Sequence, residues 1–218
     1  MIHIDHIPYQ YIAIEGNIGA GKTTLSRKLA EDLNSRLILE EFAENPFLPH
    51  FYKNQERYAF PVELFFLSER HKQLQEHFKS MEIFQHRTVA DYYFLKSVLF
   101  ARQTLGDEEY RLFQRLYQSL QMNFPKPDLI IFLHRSVPNL LANIRKRNRE
   151  YEQNISEAYL DRISSAYFEY FKVESEIPIV LLNANELDFV GNPESYALVL
   201  ELIQEHHRPG MNHVSYLR

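Results

Sequence analysis

Apolar and polar positions along the chain alternate between short, fully apolar runs and stretches with helical periodicity. Tyr11, Ile12, Ala13 and Ile14 form the first run. Similar runs lie at 36–40, 128–133 and 179–182, with a shorter β-like segment at 88–91. Runs of this length read as strands buried on both faces. Between them the apolar residues recur every three or four positions. Leu25, Leu29 and Leu33 mark one face of a helix over 22–34. A long helix over 57–80 carries Leu64, Leu67, His71, Leu74 and Phe78 as one stripe, widened by Val62, Phe65 and Phe66, with Pro61 near its start. Further helices are predicted over 93–105, 107–122, 138–148, 156–172 and 194–206. Tyr110, Phe113, Leu116, Tyr117 and Leu120 give the second of these its apolar face. Prolines break the chain in the loop 41–50 and before 128, and 183–193 reads as a loop. Five strands alternating with helices predict one three-layer α/β/α domain over residues 1–218, built on a five-stranded parallel sheet. Residues 2–10 read as a leader and 208–218 as a fraying tail. No repeat, low-complexity segment or interdomain linker interrupts this pattern.

Composition narrows the picture. The 218 residues include 16 Phe and 14 Tyr but no Trp, and the net charge of −5 argues against a general nucleic-acid binder. There is no cysteine, which excludes disulfides, thiolate catalysis and cysteine-bound zinc and suits a reducing cytoplasm. The first ten residues lack the cationic region and apolar run of a secretory signal. No apolar stretch approaches the roughly 20 residues of a membrane helix, so a soluble intracellular protein is expected. The ten histidines show no HExxH or comparable metal spacing.

The strongest chemical signal is YIAIEGNIGAGKTTLS at 11–26. Gly16, Gly21, Lys22 and Thr23 fit G-x-x-x-x-G-K-[ST], with Asn17, Ile18, Gly19 and Ala20 as the turn and Thr24 opening the helix. Glycines let backbone N–H groups wrap a phosphate, and the following helix points its positive end at the same anion. Lys22 is expected on the β- and γ-phosphates of a nucleoside triphosphate, and the Thr23 hydroxyl on Mg²⁺. The fold this implies is that of a P-loop kinase. No NKxD guanine motif is present, which weakens a regulatory GTPase.

Ligands of such sheets bind beyond the carboxyl ends of the strands, which singles out Glu40, Asp91, His134 and Asn183. Glu40 is positioned to act as general base toward an acceptor hydroxyl, or as a solvated strand end or turn cap. Asp91 reads as an acid holding Mg²⁺ through water, as a helix N-cap, or as both. Arg145, Lys146, Arg147 and Arg149 place four cations in five positions. That cluster is a helix C-terminus or a lid over the phosphates, with Arg147 and Arg149 facing them. Glu150 and Glu152 follow directly and argue against a nucleic-acid patch.

From 11 to about 189 the chain resembles the deoxynucleoside kinase family, which contains deoxycytidine, deoxyguanosine and bacterial deoxyadenosine kinases. The markers are GNIGAGKTT, EEFAENPFLPHFYKN, ERYAFPVELFFLSER, IRKRNREYEQNISEAYL and the Asp188-Phe189 pair. The resemblance implies that Glu40 takes the proton from a 5′-hydroxyl and that Tyr52 and Glu152 hold the deoxyribose 3′-hydroxyl. It implies that Arg70 lines the nucleoside pocket, Arg147 and Arg149 grip phosphates from a lid over 145–156, and the Asp188-Phe189 loop packs on adenine. Homodimers are common in the family, and a second subunit would account for the doubly apolar helix near Leu64. Two positions depart from the family pattern. Asp91-Tyr92-Tyr93 stands where Glu-Arg-Ser is usual, which leaves Lys96 or Arg87 to supply the missing cation. Glu63 replaces a base-reading glutamine. An ionised carboxylate only accepts hydrogen bonds, which favours a purine offering donors.

The expected activity is therefore transfer of the γ-phosphate of ATP, with Mg²⁺, onto the 5′-hydroxyl of a purine deoxynucleoside in nucleotide salvage. The branch most alike is that of the bacterial deoxyadenosine and deoxyguanosine kinases. The nearest rival is a nucleoside monophosphate kinase of the thymidylate kinase type, whose acceptor phosphate Glu40 would repel. A second is a nucleotide-dependent switch without acceptor chemistry. Partners are expected to be ATP, a deoxynucleoside and a second copy of the chain, with neither nucleic acid nor membrane.

Overall fold

A computed structural model of the chain describes residues 6–40, 45–78, 87–121 and 124–214. Its strands are β1 (Tyr11–Gly16), β2 (Arg36–Ile38), β3 (Thr88–Ala90), β4 (Leu129–His134), β5 (Pro178–Asn183) and β6 (Gly210–Val214). They form one parallel sheet in the order β2-β3-β1-β4-β5-β6. Helices on both sides are α1 (Lys22–Asp32), α2 (Leu48–Phe51), α3 (Gln55–Phe78), α4 (Lys96–Thr104), α5 (Asp107–Gln121), α6 (Val137–Arg147), α7 (Glu157–Val173) and α8 (Pro193–Gln204).

The central strand is the one that feeds the glycine-rich loop. All six residues of β1 are buried, and Ile12, Ala13 and Ile14 have no exposed surface. Helices cover both faces of a parallel sheet, which is why its middle strand reads as an unbroken apolar run. Leu25 and Leu29 of α1 are fully buried, as their spacing predicts. β2 is not the sheet neighbour of β1, because the crossover through α1 skips one place and β3 later fills it, pairing Ile12 with Val89 and Leu37 with Val89.

The sheet has six strands rather than five. The segment expected to fray supplies β6, whose backbone pairs with β5 from Pro178–Gly210 to Leu182–Val214. Tyr9 fastens the turn before it: its hydroxyl donates to the Glu205 carbonyl at 2.9 Å and accepts the His207 N–H at 2.8 Å. An edge strand reading GMNHV is held by backbone pairing and carries little apolar periodicity, so the pattern does not announce it. Residues 215–218 of that tail lie outside the described residues, as do 41–44, 79–80 and 122 of the predicted loop and helices.

Other differences are local. Pro49 sits in the first turn of α2, inside the segment read as a loop. α4 starts at Lys96 rather than at 93, after a turn in which the Lys96 N–H donates to the Tyr93 carbonyl at 2.9 Å and the Tyr93 N–H to the Glu15 carboxylate at 2.7 Å. α8 ends at Gln204, two residues early.

Candidate active site

The loop after β1 is shaped by its contacts with β4 and α6. A Cβ on Gly16 would stand 2.8 Å from the Leu133 carbonyl oxygen, and one on Gly19 would stand 2.7 Å from that of Leu140. Gly19 also has φ +83, which only glycine adopts without strain. Asn17 pins the loop from below, donating to the Leu160 carbonyl at 2.6 Å and to Ser164 at 2.8 Å, while its Oδ1 accepts the Ile18 N–H at 2.7 Å. Ala20 closes the turn through its N–H on the Asn17 carbonyl at 3.1 Å. Lys22 arches back over the loop and donates to the carbonyls of Gly16 and Asn17, both at 2.9 Å. Burial lowers its ammonium to a pKa of about 8.

A hydrogen-bonded chain links this loop to the ends of two other strands. The Thr23 hydroxyl donates to Asp91 Oδ2 at 2.6 Å, and Asp91 Oδ1 accepts the Glu40 N–H at 2.6 Å. Asp91 therefore bridges the loop and the segment after β2 across the neighbouring β3. Burial pushes its carboxyl above the ordinary value, with the Glu40 charge adding to the rise. A hydroxyl and a carboxylate at the mouth of a phosphate loop are hard oxygen donors that fit Mg²⁺. Among the described residues no group of three or more His, Asp or Glu could hold a metal. A cation here would therefore complete its shell with substrate oxygens and water.

The far side of the same cavity is lined by Glu40, Glu63, Arg70, Lys96, Tyr52 and Glu152. Glu40 is gripped on both carboxylate oxygens. Arg70 donates to Oε1 through Nε at 2.9 Å and through a terminal nitrogen as well, and Lys96 Nζ meets Oε2 at 2.5 Å. Burial raises the Glu40 carboxyl, but Lys96 and Arg70 outweigh it and hold it far below the usual carboxylate range. Arg70 is itself fixed by Ser97 at 2.8 Å and lies 5.0 Å from the Phe66 ring. Glu63 is 2% exposed and accepts from the Thr104 hydroxyl at 3.0 Å. Burial raises its carboxyl to about 7, in spite of the nearby Arg70. Tyr52 packs edge-on to Phe51 and Tyr159, and burial next to Glu152 raises its hydroxyl well above the ordinary value.

Arg147 ends α6, Arg149 follows it, and a 3-10 helix Glu150–Asn154 turns Glu152 back toward both. Arg147 donates to Glu152 Oε2 at 3.0 and 2.5 Å, and Arg149 to Oε1 at 3.2 Å. The two arginines border both that cavity and the adjoining one, which Gly19, Gly21, Thr24, Asp188 and Phe189 line. Asp188 caps its own turn, accepting the Val190 and Gly191 N–H groups at 3.0 and 2.9 Å, and these bonds hold its carboxyl low. Phe189 is buried, with its carbonyl accepting from Lys28 at 2.9 Å.

The residues singled out in the sequence as site candidates thus border one of two adjoining cavities or the loop between them, apart from two strand ends, Arg87 and Arg145. His134 packs edge-on to Phe168 at 5.5 Å, and Asn183 shapes its own turn by accepting from Asn185 at 3.2 and 2.9 Å. Arg87 lies at the opposite end of the sheet, donating to the carbonyls of Tyr9 and Ile7 at 2.8 and 3.1 Å. Of the two cations left open by the sequence, Lys96 is the one in the cavity. Sequence reasoning missed Glu15, Thr104, Arg135 and Asn143. Asn143 holds the Gly19 carbonyl at 2.8 Å, and Arg135 ties the Ala20 carbonyl at 3.1 Å to that of Leu187 at 2.9 Å. Only the place of Glu15 before Gly16, and of Arg135 just after β4, could have signalled them.

Comparison with known proteins agrees with this geometry. The family model described as deoxynucleoside kinase matches residues 12–208. A deoxyguanosine kinase of Bacillus subtilis (strain 168) is 34% identical over 199 residues, covering 89% of this chain and 96% of the relative. A deoxyadenosine kinase of Dictyostelium discoideum is 34% identical over 193 residues, covering 88% of this chain and 78% of the relative. A deoxyadenosine kinase from M. mycoides, solved with bound dATP, shares the fold with a TM-score of 0.76 at 24% identity, covering 89% of this chain and 100% of that one. A match of this extent, on a chain whose phosphate loop and strand-end carboxylates meet in one cavity, makes the chain a member of the deoxynucleoside kinase family and an enzyme of that class.

Proposed function

We propose that the enzyme transfers the γ-phosphate of ATP, bound with Mg²⁺, to the 5′-hydroxyl of a purine deoxynucleoside, forming the 5′-monophosphate for nucleotide salvage. One observation carries this reading. Asp91 joins the Thr23 hydroxyl to the Glu40 backbone, so that an ionised carboxylate stands at the mouth of a triphosphate loop. The 5′-oxygen bonds to the γ-phosphorus, the bridge to the β-phosphate breaks with its electron pair on ADP, and the hydroxyl proton passes to Glu40. Lys22, Arg147 and Arg149 stabilise the charge that spreads over the phosphoryl oxygens. Thr23 and Asp91 would hold Mg²⁺, which neutralises triphosphate charge when bound.

At the other end, Tyr52 and Glu152 are assigned to the deoxyribose 3′-hydroxyl and Arg70 and Glu63 to the base. Ionised Glu63 accepts only, which matches the guanine N1–H and N2–H₂ edge or the adenine amino group. The Asp188-Phe189 turn borders the loop-side cavity, where ATP adenine is assigned. We assign the dimer contact to α3 and α5. These two helices pack together and leave Leu64, Leu112 and Leu116 37–43% exposed. Among the described residues no helix is long and apolar enough to cross a membrane, and the cysteine-free chain is assigned to the cytoplasm.

The test is phosphorylation of the four natural deoxynucleosides with Mg²⁺–ATP. Deoxyadenosine or deoxyguanosine is expected as the best acceptor. Transfer to a nucleoside monophosphate instead, or ATP hydrolysis that no nucleoside stimulates, would refute the reading.

A further inference from the structure

Glu40 presents a chemical difficulty. A carboxylate with a cation on each oxygen is ionised but weakly basic. Withdrawal of one cation would raise its basicity, and the two are held very differently. Arg70 is fixed at several points, by two nitrogens on Glu40 Oε1, a third on Ser97, and the faces of Phe66 and Tyr92 at 5.0 and 6.0 Å. A planar guanidinium so placed is preorganised and costly to move. Lys96 stands on the first residue of α4, with its ammonium making a single contact to Glu40 Oε2 and lying 5.4 Å from the Phe100 ring. It is a point charge on four rotatable carbons, and it borders the same cavity as Lys22.

We propose that Lys96 is a catalytic residue that exchanges places with the acceptor hydroxyl. Before the acceptor binds, its ammonium covers Glu40 Oε2. When the 5′-hydroxyl takes that oxygen, the ammonium turns toward the phosphoryl group beside Lys22 and remains protonated throughout. The hydroxyl oxygen bonds to the γ-phosphorus, its proton moves to Oε2, and the nucleoside diphosphate leaves with the bridging electron pair. Arg70 holds Oε1 fixed meanwhile. Lys96 is only 5% exposed, and its charge offsets buried Glu15 as well as Glu40. The inference rests on the phosphoryl-transfer reading.

Lys96→Ala and Lys96→Arg test it, assayed beside wild type with the preferred deoxynucleoside and Mg²⁺–ATP. The alanine variant is expected to lose roughly 10²–10³ in kcat, the usual effect of removing one charge-stabilising donor, while KM for the nucleoside moves by less than about fivefold. Added ethylammonium or propylammonium chloride is expected to restore rate to Lys96→Ala in a saturable way that sodium chloride does not, and Lys96→Arg is expected to restore part of it. Arginine would also recover a purely structural ion pair, whose loss would lower the melting temperature along with kcat; a lowered kcat at wild-type melting temperature separates the two roles. Turnover of Lys96→Ala close to wild type, a loss carried by KM alone, or a lost kcat that neither the amines nor arginine recover would overturn the proposal. Should the alanine variant fail to fold, Lys96→Gln keeps a donor to Glu40 without the charge, and wild-type turnover from it refutes the exchange equally. Wild-type enzyme that phosphorylates no deoxynucleoside defeats the parent reading, a result distinct from any of these.

Discussion

Replacing Glu63 by glutamine is expected to stabilise the protein by an amount that grows as pH rises from 4.5 to about 7. Glu63 is 2% exposed, its Oε1 is satisfied by Thr104 at 3.0 Å, and the cations near it, Arg70 and Lys96, are engaged by Glu40. Burial therefore dominates and moves its carboxyl from the ordinary 4.5 up to about 7. Between those values the folded state keeps a proton that the unfolded chain has released. Stability consequently falls as pH rises from 4.5 to about 7 and then levels. At about 1.4 kcal/mol per tenfold displacement of the proton equilibrium, burial of Glu63 costs the fold about 3 kcal/mol above neutrality and about 1 kcal/mol near pH 5, where only the unfolded chain has released the proton. Glutamine keeps the acceptor for Thr104 without the charge. Urea unfolding of wild type and Glu63→Gln, near pH 5 and near pH 8, should show the variant's advantage growing from about 1 to about 3 kcal/mol. An advantage that does not change with pH, or a variant less stable near pH 8, would refute the burial argument. Base choice should follow the same titration: purine discrimination by wild type strengthens as pH rises through about 7, and Glu63→Gln loses that dependence.

Three further outcomes are expected. Gly19→Val places a Cβ 2.7 Å from the Leu140 carbonyl at a positive φ, and should weaken ATP binding in calorimetry by roughly tenfold or more. Arg147→Met removes one of the cations assigned to the phosphates and should lower kcat by about 10² with melting temperature little changed, since the Arg147 side chain is 35% exposed and Glu152 keeps Arg149. Leu112→Glu with Leu116→Glu should turn a dimer into a monomer in light scattering, and a dimer that survives both changes would move the interface off α5.

The sequence made the nucleotide loop legible because its constraint is local. Gly16 to Thr23 must turn tightly between a strand and a helix, and that need is written in consecutive residues. The buried strands were equally plain, since a sheet covered on both faces needs unbroken apolar runs. β6 was hidden because backbone pairing and the distant Tyr9 clamp hold it. The partners of the site residues were hidden for a related reason. The packing of α3 against α4 brings Thr104 to Glu63 across 41 positions, and the pairing of β2 with β3 brings the start of α4, with Lys96, to Glu40 across 56. Two cations, Arg70 and Lys96, hold Glu40, and no spacing in the chain foretells them.

The central claim, that a carboxylate after β2 serves chemistry at the phosphate loop, is tested most directly with Glu40→Gln. Turnover with Mg²⁺–ATP and the preferred deoxynucleoside should fall by several orders of magnitude while nucleoside affinity, measured by calorimetry, changes by less than about fivefold. Turnover that survives the substitution would contradict the assignment of the base and the account built on it.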